Sequence, residues 1–450
     1  MFGSKSRTVL AVLAIILVAV AFPIQRTSQA QGEVTGTLNV MGFSLPDEIA
    51  TVRVDQFKAA YPDVTVNITE GALDEQQFLT AIASGNAPDV VYMGRDVLSS
   101  YAVRGAIVPL TDCIDSMGID MSQYRQAAVA QVTVNGEVYG IPEFFNSIML
   151  FINNKALADS GLTPDDVDVS DWDKVAEINQ ALTRIEDGTL TRIGFDPKLP
   201  EFLPLWAMAN GVSLLSEDGR TAQLNDPRVL EALQFTVGLH EPAGGRQAFM
   251  AFRDTWDFFG AQNQMVSDQL GVFPMEQWYM NVLANVSPDA DITFKAFTGR
   301  EGNPLTYATG NTWAIPRGSA NPEAACAWMK TMTSVDTWVA AATARAELRA
   351  EAGTINTGVY TANRAADEVI FSEIVLPALT NETFKTGVEV ILSVQDSAYA
   401  IPANPAAAEF KQAWQDAVNR VLNGEQSAEE ALAQAQEEAQ AALDEAWSQQ

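Results

Sequence analysis

The feature that most limits what this chain can fold into is an unbroken apolar run, Ile148-Met149-Leu150-Phe151-Ile152, inside VYGIPEFFNSIMLFINN (residues 138–154). A strand with one solvated face alternates apolar and polar residues, so an uninterrupted run predicts a strand buried on both faces. Just before the run stand Glu143, Phe144, Phe145 and Asn146, a carboxylate, two rings and an amide at the mouth of the most buried strand. Upstream, strand and helix patterns alternate. Residues 37–40 read as extended. Ile49, Val52, Phe57 and Ala60 recur near helical spacing, and Pro62 disfavours further helix. Val64, Val66 and Ile68 alternate as a strand, 74–83 is helical, 84–88 is a turn, and 90–93 is again extended. This order predicts an α/β lobe with a largely parallel sheet.

At 450 residues the chain exceeds one ordinary core, so two domains are expected. The formal net charge of −30 argues against nucleic acid and against anionic lipid as partners. Lys5 and Arg7, the apolar stretch 9–22, and Ser28-Gln29-Ala30 read as an export signal cleaved after Ala30, with an uncleaved anchor as the alternative. The piece removed carries Lys5, Arg7 and Arg26 and no acid, which leaves the mature chain more acidic still. Cys113 and Cys326 are the only cysteines; in an exported chain they form a disulfide or remain buried thiols, and spacing does not choose. His240, the single histidine, excludes a His-based metal cluster and is expected in a surface loop beside Pro242 and Gly244.

The region 154–287 is richer in helix and aromatics, 291–297 and 312–315 read as strands, and Asn321-Pro322 opens a helix. Near the end, Ser427 and Glu430 form a capping box ahead of a narrow stripe of Leu432, Ala435, Ala439, Ala442 and Ala446, which predicts a docked surface helix.

Six segments, in order, resemble one known family. They are ASGNAPDVVYM (83–93), GAIVPLTDCID (105–115), NGEVYGIPEFFNSIMLFINNKALADSGL (135–162), GVFPMEQWYMNVL (271–283), GNTWAIPRGSANPEAACAWMKTMTS (310–334) and VLNGEQSAEEAL (421–432). They look like the signatures of the extracellular solute-binding proteins of family 1, the maltose-binding-like receptor subunits of ABC transporters. The resemblance implies an α/β, two-lobe periplasmic-binding-protein-like fold (type II) with a ligand cleft between the lobes. It implies one lobe from residues 33–141 and 297–345 and another from 142–296 and 346–450, crossing at Gly140 and Pro142. It also implies a monomeric, exported, non-enzymatic receptor, periplasmic or extracellular, that needs no cofactor and hands its ligand to a membrane permease.

Sugars offer weakly apolar ring faces and hydroxyls that both donate and accept, so a sugar cleft needs aromatics among acids and amides. Glu143, Phe145 and Asn146, with Phe144, supply that mixture where the resemblance puts the cleft. Ser44 and Asp47 follow the first strand, Asp96 follows a later one, Trp278 falls on the family's tryptophan, and Trp313 lies at another crossing, before Ala314-Ile315-Pro316; these complete the expected site. Glu201 and Trp206 are weaker candidates. Met93 stands where several sugar-binding relatives carry an aromatic. No basic pair is evident, which disfavours a glycerol phosphate; a polyamine, or a secreted carbohydrate-active enzyme with paired carboxylates, are the alternatives.

Overall fold

The apolar run forms strand Ile148–Asn153, and all of its residues are buried. A computed structural model describes residues 34–449 of the chain; the export segment expected at 1–30 lies outside them. Alternate side chains of this strand enter different cores. Met149 and Phe151 pack with Phe273, Phe294 and Phe384 on one face. Ile148, Leu150 and Ile152 pack with Trp172, Trp206 and Phe297 on the other. The strand is an interior one, second from the edge, in a five-stranded sheet ordered Ile292–Ala296, Ile148–Asn153, Leu270–Glu276, Thr189–Phe195, Arg184–Glu186. It is antiparallel to both neighbours, so its burial follows from helices on each face of the sheet and not from parallel pairing.

The other five-stranded sheet is ordered Val64–Thr69, Gly36–Met41, Val90–Gly94, Asn311–Ala314, Ile141–Pro142. Its first three strands are parallel, as the alternating pattern requires, and Asn311–Ala314 enters antiparallel. The chain therefore leaves this sheet at Pro142, enters the other at Ile148, and returns at Asn311.

The crossing segments lie side by side, with bridges from Asn146 to Thr309 and from Phe144 to Thr361. Arg95, fully buried, clasps them. Its guanidinium donates to the carbonyls of Thr309 at 2.6 Å and Asn311 at 3.3 Å, and to that of Phe144; its Nε donates to Gln131 at 3.0 Å. Burial lowers its pKa to about 10, so it stays charged at neutral pH and is answered by carbonyl dipoles. Gly310, at φ +136°, passes so close to the Phe144 carbonyl and Arg95 that any Cβ would collide. Gly140 is packed as tightly: a Cβ there would lie 2.5 Å from Thr312 Oγ1 and 2.7 Å from Leu98 Cδ1.

Cys113 and Cys326 are joined as a disulfide, which resolves the pair the sequence left open. His240 departs from expectation. It is 2% exposed, lies edge-on to Phe249 with ring centroids 4.2 Å apart, and has Nδ1 3.0 Å from the Val237 carbonyl oxygen. Pro242 and Gly244 do mark a turn, but the ring points inward from it. Burial lowers its pKa from 6.5 to about 4. Between those values the unfolded chain takes up a proton that the folded chain refuses. This contribution to stability is therefore complete above pH 6.5 and is lost as pH falls towards 4. The stability gap between wild type and His240→Phe should shift by about 3 kcal/mol across that window, in denaturant melts at a series of pH values. Parallel pH curves for the two proteins would show that His240 titrates normally.

Candidate functional site

Two adjoining cavities, of about 460 Å³ and about 650 Å³, open where the crossing segments run between the sheets. Each falls within the size range of small-molecule sites. They share Asn146, Phe259, Trp278 and Asn311, so they form one cleft with a common wall.

That wall is aromatic. Trp278 stands between strand Leu270–Glu276 and helix Tyr279–Val286. Phe259, 65% exposed, lies nearly parallel to it, with centroids 6.2 Å apart and planes at 16°. The indole Nε1–H donates to Glu276 Oε2 at 2.7 Å. The other oxygen of Glu276 accepts from Thr309 Oγ1 at 2.6 Å and lies 3.5 Å from Asn146 Nδ2. One carboxylate thus fixes the ring orientation and ties it to both crossing segments.

The candidates of the outbound crossing divide by parity. Phe144 and Asn146 are half-buried and line the cleft. Glu143 and Phe145, expected beside them, are each 0% exposed and line neither cavity. Extended backbone turns successive side chains to opposite sides, so four consecutive residues cannot all face one cleft. On the inner side, Glu143 Oε1 pairs with Arg53 Nη1 at 2.6 Å, and Phe145 lies between the Arg95 and Arg125 guanidiniums, 5.5 and 5.4 Å from its centroid. Trp313 is also 0% exposed, packed against Phe43, Tyr92 and Trp328; it belongs to the core. Trp206 is interior as well, with its Nε1 donating to the Pro197 carbonyl at 3.0 Å.

Asp47 lines the smaller cavity, caps helix Glu48–Ala60 through Ala50 N, and pairs with Arg345 at 2.5 Å. Asp96 lines the larger one and pairs with Lys411 at 2.7 Å, not with Arg95. Ser44 lines neither; its Oγ accepts from Gly71 N at 2.9 Å. Glu201 lies at the exposed rim of the larger cavity, and Met93 is 2% exposed in the core.

No basic pair was evident among the sequence candidates, yet basic residues line both cavities. Arg345 and Arg349 line the smaller cavity; Lys198, Arg253 and Lys411 line the larger. They come from distant stretches, so no local pattern announced them. Phe258 and Phe259, which line the larger cavity, were also missed, although an adjacent aromatic pair is a signal the sequence does carry. Among the described residues no group of His, Cys, Asp and Glu is placed to hold a metal, and no helix is long and apolar enough to cross a membrane.

A family profile described as bacterial extracellular solute-binding protein matches residues 45–337. The chain is 20% identical over 324 residues to the arabinooligosaccharide-binding protein of Bacillus subtilis (strain 168), covering 69% of this chain and 71% of that one. It is 32% identical over 135 residues to the lactose-binding protein of Rhizobium radiobacter, covering 28% of this chain and 30% of that relative. Among solved structures, CpMnBP1 with mannobiose bound superposes with a TM-score of 0.71 at 22% identity, over 90% of this chain and 99% of that one. The GacH receptor of Streptomyces glaucescens superposes with a TM-score of 0.69 at 18% identity, over 92% and 99%. These likenesses establish the two-lobe periplasmic-binding-protein-like architecture.

Proposed function

Because the chain belongs to the bacterial extracellular solute-binding protein family, we propose that it is the exported receptor of an ABC importer, holding a sugar or oligosaccharide in the inter-lobe cleft. The observation that carries this reading is the wall shared by the two cavities, where the Trp278–Phe259 pair meets Asn146, Asn311 and the Glu276 carboxylate. Flat aromatic surface flanked by amides and acids matches the two characters of a sugar. Asp47 and Asp96 serve as further contacts; Ser44, which lines neither cavity, would reach the ligand only if the lobes moved.

In this reading residues 33–141 and 297–345 make one lobe and 142–296 and 346–450 the other. The support is that Ile141 and Asn311–Ala314 share one sheet while Ile148–Asn153 and Ile292–Ala296 share the other; Pro142, the last residue paired in the first sheet before the crossing, marks the boundary. Ligand gripped by both lobes stabilises their closed arrangement, and the membrane permease reads that form. The protein acts as a monomer, periplasmic or extracellular, and transfers its ligand chemically unchanged. The family consists of binding proteins; turnover of reporter glycosides would move the reading to an enzyme.

The experiment is calorimetric titration with a panel of mono- and oligosaccharides, followed by Trp278→Ala. Losing a stacking ring should weaken the best sugar by roughly tenfold to a hundredfold, from about 1–3 kcal/mol of burial and stacking. The ligand-free melting temperature should change little, because the ring is only half-buried. A large fall in melting temperature with unchanged affinity would return Trp278 to the core.

A further inference from the structure

The loop after strand Thr189–Phe195 brings a cation to the larger cavity in an unusual way. Asp196, fully buried, accepts the backbone N–H of Lys198 on Oδ1 at 2.8 Å. Lys198 is held at φ +58°, a left-handed conformation that side-chain-bearing residues seldom adopt and that structures retain where it is used. The other oxygen of Asp196 lies 3.4 Å from Arg253 Nε, at the end of helix Arg246–Arg253. One interior carboxylate therefore sets the backbone under one cation and the head group of the other, and both line the cavity.

The Lys198 ammonium is under-compensated. No described residue forms a hydrogen bond or ion pair with it, and it lies over the face of Phe258, with Nζ 5.9 Å from the centroid. Burial and then the Arg253 charge push its pKa down, against the opposing pull of Asp196, Glu201 and Glu276, and an anionic hydrogen-bond acceptor from outside the protein would ease both the desolvation and the repulsion. The other charges of the cavity are engaged. Lys411 is paired with Asp96, and Glu276 is held by Trp278 and Thr309. Glu201 is exposed to solvent at the rim.

We propose that Lys198 and Arg253 form a subsite for the carboxylate of a uronic acid residue, which makes acidic oligosaccharides the substrate class of this receptor. The proposal rests on the sugar-receptor reading and deepens it. A carboxylate suits two cationic donors that line one cavity and are both anchored through Asp196, and charge-assisted hydrogen bonds are the stronger kind. A phosphate dianion fits less well, because Asp96, Glu201 and Glu276 line the same cavity. Trp278, on the shared wall, is left free to stack on the ring that bears the acid or on its neighbour.

The test is titration with matched pairs: the di- and trisaccharides of galacturonate, glucuronate and mannuronate, each beside its neutral hexose counterpart, with glucose 6-phosphate as a further probe. Wild type should prefer the acidic member of its best pair by roughly tenfold or more, and added salt should shrink that preference. Lys198→Met should bring the acidic-to-neutral ratio close to one while the ligand-free melting temperature holds, since the ammonium has no hydrogen-bond or ion-pair partner among the described residues and Met can keep the contact with Phe258. Arg253→Gln should lower the same ratio, which keeps the test independent of one variant. Neutral sugars bound as tightly as acidic ones, with a ratio indifferent to Lys198→Met, would overturn the subsite and leave the sugar receptor standing. Glucose 6-phosphate binding most tightly would overturn the carboxylate assignment. No binding by any member would remove the sugar reading and this inference with it.

Discussion

Removing the Cys113–Cys326 bond is expected to lower stability by roughly 5 kcal/mol, the scale set by the entropy of the closed loop. The bonded residues sit on helices Thr111–Met117 and Pro322–Thr333, with Cα atoms 5.5 Å apart and a sequence separation of 213. The chain between them crosses to the other sheet, builds all five of its strands, and returns. The bond thus closes a loop of nearly half the chain, and the entropy it removes is that of the unfolded ensemble. Both sulfurs lie in the same core as Leu110, Met117 and Trp328, so Cys113→Ala/Cys326→Ala leaves the helices packed in the folded form. Urea unfolding of that double variant against the oxidised wild type gives the figure. Two titratable thiols on denatured, unreduced wild type, or coincident unfolding curves, would strike the bond from the account.

Glu143→Ala is expected to cost about 3–5 kcal/mol of stability, because it strands a buried guanidinium. Arg53 is 0% exposed, gives Nε to the Ile49 carbonyl at 3.0 Å and Nη1 to that of Met332 at 3.1 Å, and lies 4.1 Å from the Trp338 ring. None of these neighbours carries a negative charge to replace Glu143. Arg53→Met should be milder and pH-dependent. Burial already raises the Glu143 carboxyl above the usual range, so once deprived of its partner it takes up a proton, which an arginine cannot shed. The loss in Arg53→Met should therefore grow as pH rises. Arg53→Met/Glu143→Leu should recover much of the stability, since a packed apolar pair replaces a desolvated ionic one. Chemical denaturation of the four proteins at two pH values separates these outcomes. A Glu143→Ala protein that keeps its stability but loses sugar would place Glu143 in the cleft after all.

What the sequence by itself determined is the part of this protein governed by short-range rules. An unbroken apolar run has no polar face to offer water, so Ile148–Asn153 had to be covered on both sides. Cap chemistry acts within three residues: Asp74, Asn321 and Ser427 each begin their helices as read, and Ser427 and Glu430 form the capping box. The tail stripe shifted only slightly, with Leu443 rather than Ala442 completing the buried seam. Six ordered segments were enough for the family, and so for two lobes and a cleft. Only the tertiary structure decided which polar groups line that cleft. Period-two alternation separates Glu143 and Phe145 from Phe144 and Asn146, but it does not say which pair faces the ligand. That choice was made by Arg53, Arg95 and Arg125, cations from other elements that wait on the inner side. Lys198 and Arg253 likewise meet only through Asp196, and Cys113 meets Cys326 only after the chain has crossed and returned. Local periodicity fixes how a segment folds, whereas the orientation of a charge depends on opposite charges that sequence separation does not bring into view.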